Sequence, residues 1–152
     1  MMAIKAVISD FGGVLVRTND QSGRLKWDHY LRQPEGYVNN LVFGSETAQL
    51  ATIGDVDEDQ VWNYVKQTTG LSSSQLTEFR KDFWSGDVLD LELVEYINSL
   101  RPNLHTAVLS NAWSGARKMF LETYHLDTYF DKIFISSEEG IAKPHKEIYV
   151  KT

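Results

Sequence analysis

An α/β fold, built on a parallel sheet with a helical insert after its first strand, is what this sequence predicts. Two observations carry the prediction. Short apolar runs bounded by glycine or polar turns stand at residues 5–10, 106–110 and 132–135, with helical spacing between the later ones; strands alternating with helices in this way pack as a parallel sheet. Between the first and second runs, residues 18–86 read as successive amphipathic helices punctuated by Gly44, Gly54, Gly70 and Gly86, the texture of a small helical bundle.

The elements follow in chain order. Lys5-Ala6-Val7-Ile8-Ser9-Asp10 is an apolar run that ends in a carboxylate and continues into Phe11-Gly12-Gly13-Val14-Leu15-Val16. A run of this length bounded by glycines predicts a buried parallel strand. Ser45 ahead of Glu46, Leu50 and Ile53 predicts a capped helix. Asp57-Glu58-Asp59 precede Val61, Trp62, Tyr64 and Val65, and acids at a helix start complement its dipole. Ser72-Ser73-Ser74 lead into Leu76, Phe79, Phe83 and Trp84, a further capped helix. Residues 91–100 predict a helix that stops at Arg101-Pro102-Asn103. Thr106-Ala107-Val108-Leu109-Ser110 is a second buried strand, and Ser114 opens a helix carrying Ala116, Met119, Phe120 and Tyr124. Lys132-Ile133-Phe134-Ile135 is the third strand, and Lys143-Pro144 begins a last helical turn.

The 152 residues are 42% apolar and 24% charged, enough to bury a core and too apolar for wholesale disorder. There is no cysteine, which excludes a disulfide scaffold, a thiolate zinc site and a cysteine nucleophile. A net charge of -6 repels nucleic acid and anionic membranes, so neither is an expected partner. No apolar run reaches the ~20 residues that span a bilayer, and the N-terminal residues lack the long apolar stretch of a signal peptide. A cytoplasmic location is the expectation.

Asp10, Ser110 and Lys143 each sit where an apolar strand, or the loop beyond it, turns toward a helix. Ligands of open α/β sheets bind outside the carboxyl ends of the strands, so the three are expected to converge. A carboxylate can act as nucleophile or metal ligand. A hydroxyl backed by a helix-start amide suits a phosphate oxygen. A lysine supplies positive charge to a transferring phosphoryl group. Each residue alone is more simply read as a turn, a cap or a surface charge; the three together, in this order, carry the argument.

These segments resemble the haloacid dehalogenase (HAD) superfamily. The likeness rests on Val7-Ile8-Ser9-Asp10-Phe11-Gly12-Gly13-Val14-Leu15, on Val108-Leu109-Ser110-Asn111-Ala112, and on Ala142-Lys143-Pro144 followed by Ile148-Tyr149. Phe83-Trp84-Ser85-Gly86-Asp87 and Gly140 fit the phosphatase-like branch with a helical cap. The resemblance implies a Rossmann-like core from residues 1–17 and 87–152, with residues 18–86 as the cap. It implies Asp10 as a nucleophile that forms an aspartyl-phosphate. Asp10 and the Gly12 carbonyl would be Mg²⁺ ligands, Ser110 and Asn111 would bind phosphate, and Lys143 would bridge Asp10 and substrate. A small phosphorylated metabolite is the implied substrate.

Two departures bear on activity. Phosphatases of the family carry a second aspartate two positions after the nucleophile as general acid and base, and this chain has Gly12 there; such assistance is typically worth ~10²–10⁴-fold. The family's fourth motif, an acidic pair after a further strand, is expected beyond Tyr149, so the expectation is a truncated piece with weakly held Mg²⁺. The first strand is then an open sheet edge, with marginal stability or self-association as the expected consequence. A catalytically silent binding module and a dehalogenase-like hydrolase in which Asp10 attacks carbon are the alternatives. His29, His105, His125 and His145 are scattered without metal-ligand spacing. Trp27, Trp62 and Trp84 are expected in the cap core and Trp113 at the pocket edge; Arg24, Lys26 and Arg32 either reach substrate from the cap or, as is commoner for such charges, lie on a solvated face.

Overall fold

The structure, a computed structural model, describes residues 4–152; the first three residues of the expected 1–17 core segment lie outside the described residues. A three-stranded parallel sheet is formed by β1 (Ala6–Ser9), β4 (His105–Ser110) and β5 (Lys132–Ile135), in the spatial order β1-β4-β5. The alternation of strand and helix is realised by α6 (Leu91–Ser99) before β4 and α7 (Ala116–Glu122) between β4 and β5. β4 is buried along five of its six residues, as a continuous apolar run requires.

Between β1 and α6 stand five helices: α1 (Ser22–Tyr30), α2 (Tyr37–Phe43), α3 (Glu46–Thr52), α4 (Glu58–Thr69) and α5 (Ser73–Trp84). Their starts follow the cap residues. Ser45 accepts from the Ala48 amide, Asp57 from Gln60, and Ser72 from Gln75, whose side chain accepts from the Ser72 amide in return. Val61, Trp62, Val65, Phe79 and Phe83 face one another in a cluster of their own. A second cluster, around Leu15, Val94, Val108, Phe120 and Ile135, fills the space between the sheet and its helices.

Two short strands, absent from the expectation, join the parts: β2 (Val16–Thr18) pairs antiparallel with β3 (Asp87–Leu89). Three-residue strands carry too little alternation to be read from sequence. The last helix also differs from expectation. α8 (Ser136–Glu139) follows β5 and is closed by Gly140 at φ 68°, and α9 (Lys146–Lys151) begins only after Lys143-Pro144. The expectation of a buried first strand needs correction. Ile8 is 48% exposed, because among the described residues β1 is paired on one side only. No described helix is long and apolar enough to cross a membrane.

Candidate active site

Register sets the site. Ser9 lies opposite Val108 and Ser110 opposite Ile135, so the chain leaves β1 at Asp10, level with Leu109 on its neighbour. The turn that follows is tight. The Phe11 carbonyl accepts from the amides of Leu15 and Val16 at 2.9 Å, and Gly13 adopts φ 76°, a left-handed conformation that favours glycine. Phe11 is buried against Phe120, with ring centroids 4.2 Å apart, which anchors the turn to the core.

Asp10, Gly12, Ser110, Asn111 and Lys143 line one cavity of about 870 Å³. Lys143 Nζ lies 2.7 Å from Asp10 Oδ2 and donates to the Leu109 carbonyl at 2.9 Å. The lysine side chain is largely buried at 18% exposed, whereas Asp10 at 44% stays open to the cavity. The second carboxylate oxygen, Oδ1, accepts the Phe11 amide at 2.7 Å. The carboxylate is thus oriented by a cation and a main-chain donor. Ser110 is buried at the end of β4.

Asn111 has a task that its position in the sequence does not reveal. Its Nδ2 donates to the Lys143 carbonyl and its Oδ1 accepts the Lys143 amide, each at 2.9 Å. The side chain grips the backbone of the lysine-bearing loop and thereby positions the Asp10–Lys143 pair. Arg24 is not on a solvated face. It is buried and bonded to Phe83 O, Asn39 Oδ1, Thr18 Oγ1 and Asp87 Oδ1. Burial lowers its pKa, opposed by the Asp87 carboxylate. Tyr124, at the cavity wall, has its pKa raised chiefly by burial and further by Asp87. Trp27 and Trp62 lie in the helical core as expected, while Trp84 and Trp113 both pack against that core and line the cavity.

Three hydrogen bonds fasten the helices over this site. Trp113 Nε1 donates to Ala48 O at 3.2 Å, Ser136 Oγ to Thr52 O at 2.6 Å, and the Glu58 amide to Ser114 Oγ at 3.1 Å. Ser136 Oγ also accepts the Ala112 amide at 3.0 Å, tying this contact to the loop that follows Ser110.

The residues expected to hold a cation, Asp10 through its carboxylate and Gly12 through its carbonyl, both line the cavity. Both donor atoms are hard oxygens, and no atom stands within 4 Å of where a Gly12 Cβ would be. No group of three or more His, Cys, Asp or Glu stands together among the described residues. Such a set fits an ion that keeps several waters and takes one or two protein oxygens, as Mg²⁺ does, and does not fit a structural zinc.

Residues 4–152 match the haloacid dehalogenase-like hydrolase family. The chain belongs to this family. Among its relatives is D-ribitol-5-phosphate phosphatase of Bacteroides thetaiotaomicron, 26% identical over 162 residues that span 96% of this chain and 74% of the relative. Pyrimidine 5'-nucleotidase of Escherichia coli is 38% identical over 56 residues, 37% of this chain and 25% of that protein. A HAD family enzyme of B. thetaiotaomicron, solved in complex with magnesium and inorganic phosphate, superposes with a TM-score of 0.77 at 18% identity. That match covers 98% of this hydrolase and 77% of the solved chain, and at such identity it shows the fold alone. The parallel sheet and flanking helices of this hydrolase are those of the HAD-like Rossmann-type fold.

Proposed function

We propose that this HAD-like hydrolase is a Mg²⁺-dependent phosphatase that acts on a small phosphorylated metabolite through an aspartyl-phosphate on Asp10. The observation that carries the reading is the 2.7 Å contact between Asp10 and Lys143, in a cavity that Ser110 also lines. A relative named as a phosphatase and a solved neighbour holding magnesium and phosphate support it. In this reading residues 1–17 and 87–152 are the catalytic core and residues 18–86 the cap.

The chemistry follows from the residues. An Asp10 oxygen bonds to phosphorus as the bond to the leaving-group oxygen breaks; water then attacks the aspartyl-phosphate, releasing inorganic phosphate and restoring the carboxylate. Lys143 holds Asp10 in place and offsets charge on the phosphoryl oxygens. The Ser110 hydroxyl donates to one of those oxygens, and Asn111 keeps the Lys143 loop in register. Asp10 and the Gly12 carbonyl would hold Mg²⁺, which supplies Lewis-acid neutralisation of the phosphate when bound. With glycine at position 12, the leaving alkoxide takes its proton from water, so turnover is slow.

The test is a panel of phosphate esters and a 2-haloacid, each with and without Mg²⁺. Mg²⁺-dependent release of phosphate supports the reading. Metal-independent halide release indicates a dehalogenase, and binding without turnover of any compound indicates a silent module; either contradicts it. We further propose that the open edge of β1, with Ile8 half-exposed, pairs with a second chain.

A further inference from the structure

We propose that the phosphate ester taken by this site carries an aromatic ring in its leaving group, received by a wall of Phe43, Trp84 and Trp113. This inference deepens the phosphatase reading and rests on it. The three residues line the same cavity as Asp10 and Ser110. Phe43 is the last residue of α2 and Trp84 the last of α5. The Phe43 ring centroid lies 5.8 Å from that of Trp84 and 5.7 Å from that of Trp113. Phe43 is nonetheless 44% exposed. A half-exposed aromatic set among others at the wall of a cavity is apolar surface that a ligand can cover.

Distance fits the role. Trp113 follows Ser110 by three residues, a span of at most about 10 Å. A leaving group attached to a phosphate at Ser110 therefore reaches the wall within a small molecule's length. Trp113 is held there by the bond from its Nε1 to Ala48 O.

Part of the polar lining is already committed. Hydroxyl groups of a polyol need directed partners that are free to bond; Arg24, Glu58 and Thr52 are bonded within the protein, which leaves Arg17, Gln21 and Tyr124 as the remaining polar side chains of the cap-side wall. Arg24 is bonded to Phe83 O, Asn39, Thr18 and Asp87. Glu58 accepts from Trp62 and Arg80. Thr52 donates to Ala48 O. An aromatic ring needs only a π surface, which Phe43 and the partly buried Trp84 offer, with the buried Trp113 packed behind them.

Calorimetric titration in Mg²⁺ with inorganic phosphate, uridine 5'-monophosphate, D-ribitol 5-phosphate and uridine tests the proposal. The nucleotide should bind about tenfold more tightly than ribitol phosphate. In Phe43→Ala that ratio should fall by about fivefold, and Phe43→Tyr should restore it. Ribitol phosphate binding as tightly as the nucleotide, or a ratio unmoved by Phe43→Ala, overturns the wall while phosphate binding leaves the phosphatase reading standing. Uridine separates the two claims in the other direction. Uridine binding that Phe43→Ala weakens supports the wall even if inorganic phosphate does not bind, an outcome that counts against phosphoryl transfer instead. Failure of both uridine and the nucleotide to bind overturns the wall.

Discussion

Gly12 governs the rate expected of this site, and its surroundings make the point testable. Its backbone lies outside the left-handed region and nothing stands within 4 Å of an added Cβ, so Gly12→Asp introduces a proton donor without strain. Turnover of an alkyl phosphate should rise by about 10²-fold. A p-nitrophenyl ester, whose leaving group departs without a proton, should gain far less. Steady-state kinetics on the two esters checks this, and equal gains would contradict it. Lys143→Met should reduce kcat/KM by roughly 10²–10³-fold, since it removes the charge beside the phosphoryl group and strips Asp10 of its partner. Asp10 and Lys143 were legible in the sequence because each stands at a strand end or in the loop beyond one, where chain direction alone brings side chains together. The grip of Asn111 on Lys143 was not, since it joins positions 32 residues apart and depends on a side-chain rotamer. Arg24 was misread for a related reason: a charge at helical spacing looks solvated until the chain that returns at Asp87 buries it.

At the scale of elements, the helices were readable from cap residues and apolar spacing, whereas the β2–β3 ribbon was too short to announce itself. What fastens the helices was also hidden. Asp82 on α5 accepts from Lys26 Nζ at 2.8 Å and Trp27 Nε1 at 2.9 Å on α1. The Lys26 bond, reinforced by Trp27 against a partial burial penalty, holds the Asp82 carboxyl below its ordinary value. A depressed folded-state pKa contributes stability that is present above the unfolded value and lost as pH falls through the folded one. Asp82→Asn should therefore lower Tm at neutral pH, with the difference from the parent shrinking below about pH 4. Thermal melts of both proteins across that range check it; a constant difference would contradict it. Gly54, at φ 79°, places its Cα against the Ser137 carbonyl where a Cβ would overlap it. Gly54→Ala should destabilise the docked helices by roughly 1–3 kcal/mol, read as a fall in Tm.

The whole molecule is two apolar clusters joined by the β2–β3 ribbon on one side and by the Trp113, Ser114 and Ser136 hydrogen bonds on the other, with the cavity between them. The fold class was legible because two periodicities, one for strands and one for helices, divide the chain cleanly. Among the described residues β1 is paired on one side only, which leaves Ile8 48% exposed. Sedimentation of the 152-residue chain should show concentration-dependent association that Ile8→Lys suppresses; a monomer at every concentration would contradict the pairing. The measurement that bears most directly on the proposed function is the fate of Asp10 during turnover. Quenching the protein in acid while it processes a phosphate ester with Mg²⁺, reducing with borohydride and sequencing by mass spectrometry should find homoserine, the reduction product of an aspartyl-phosphate, in place of Asp10, with none formed in Asp10→Asn. Phosphate release with Asp10 unmodified, or unchanged turnover by Asp10→Asn, would contradict the account.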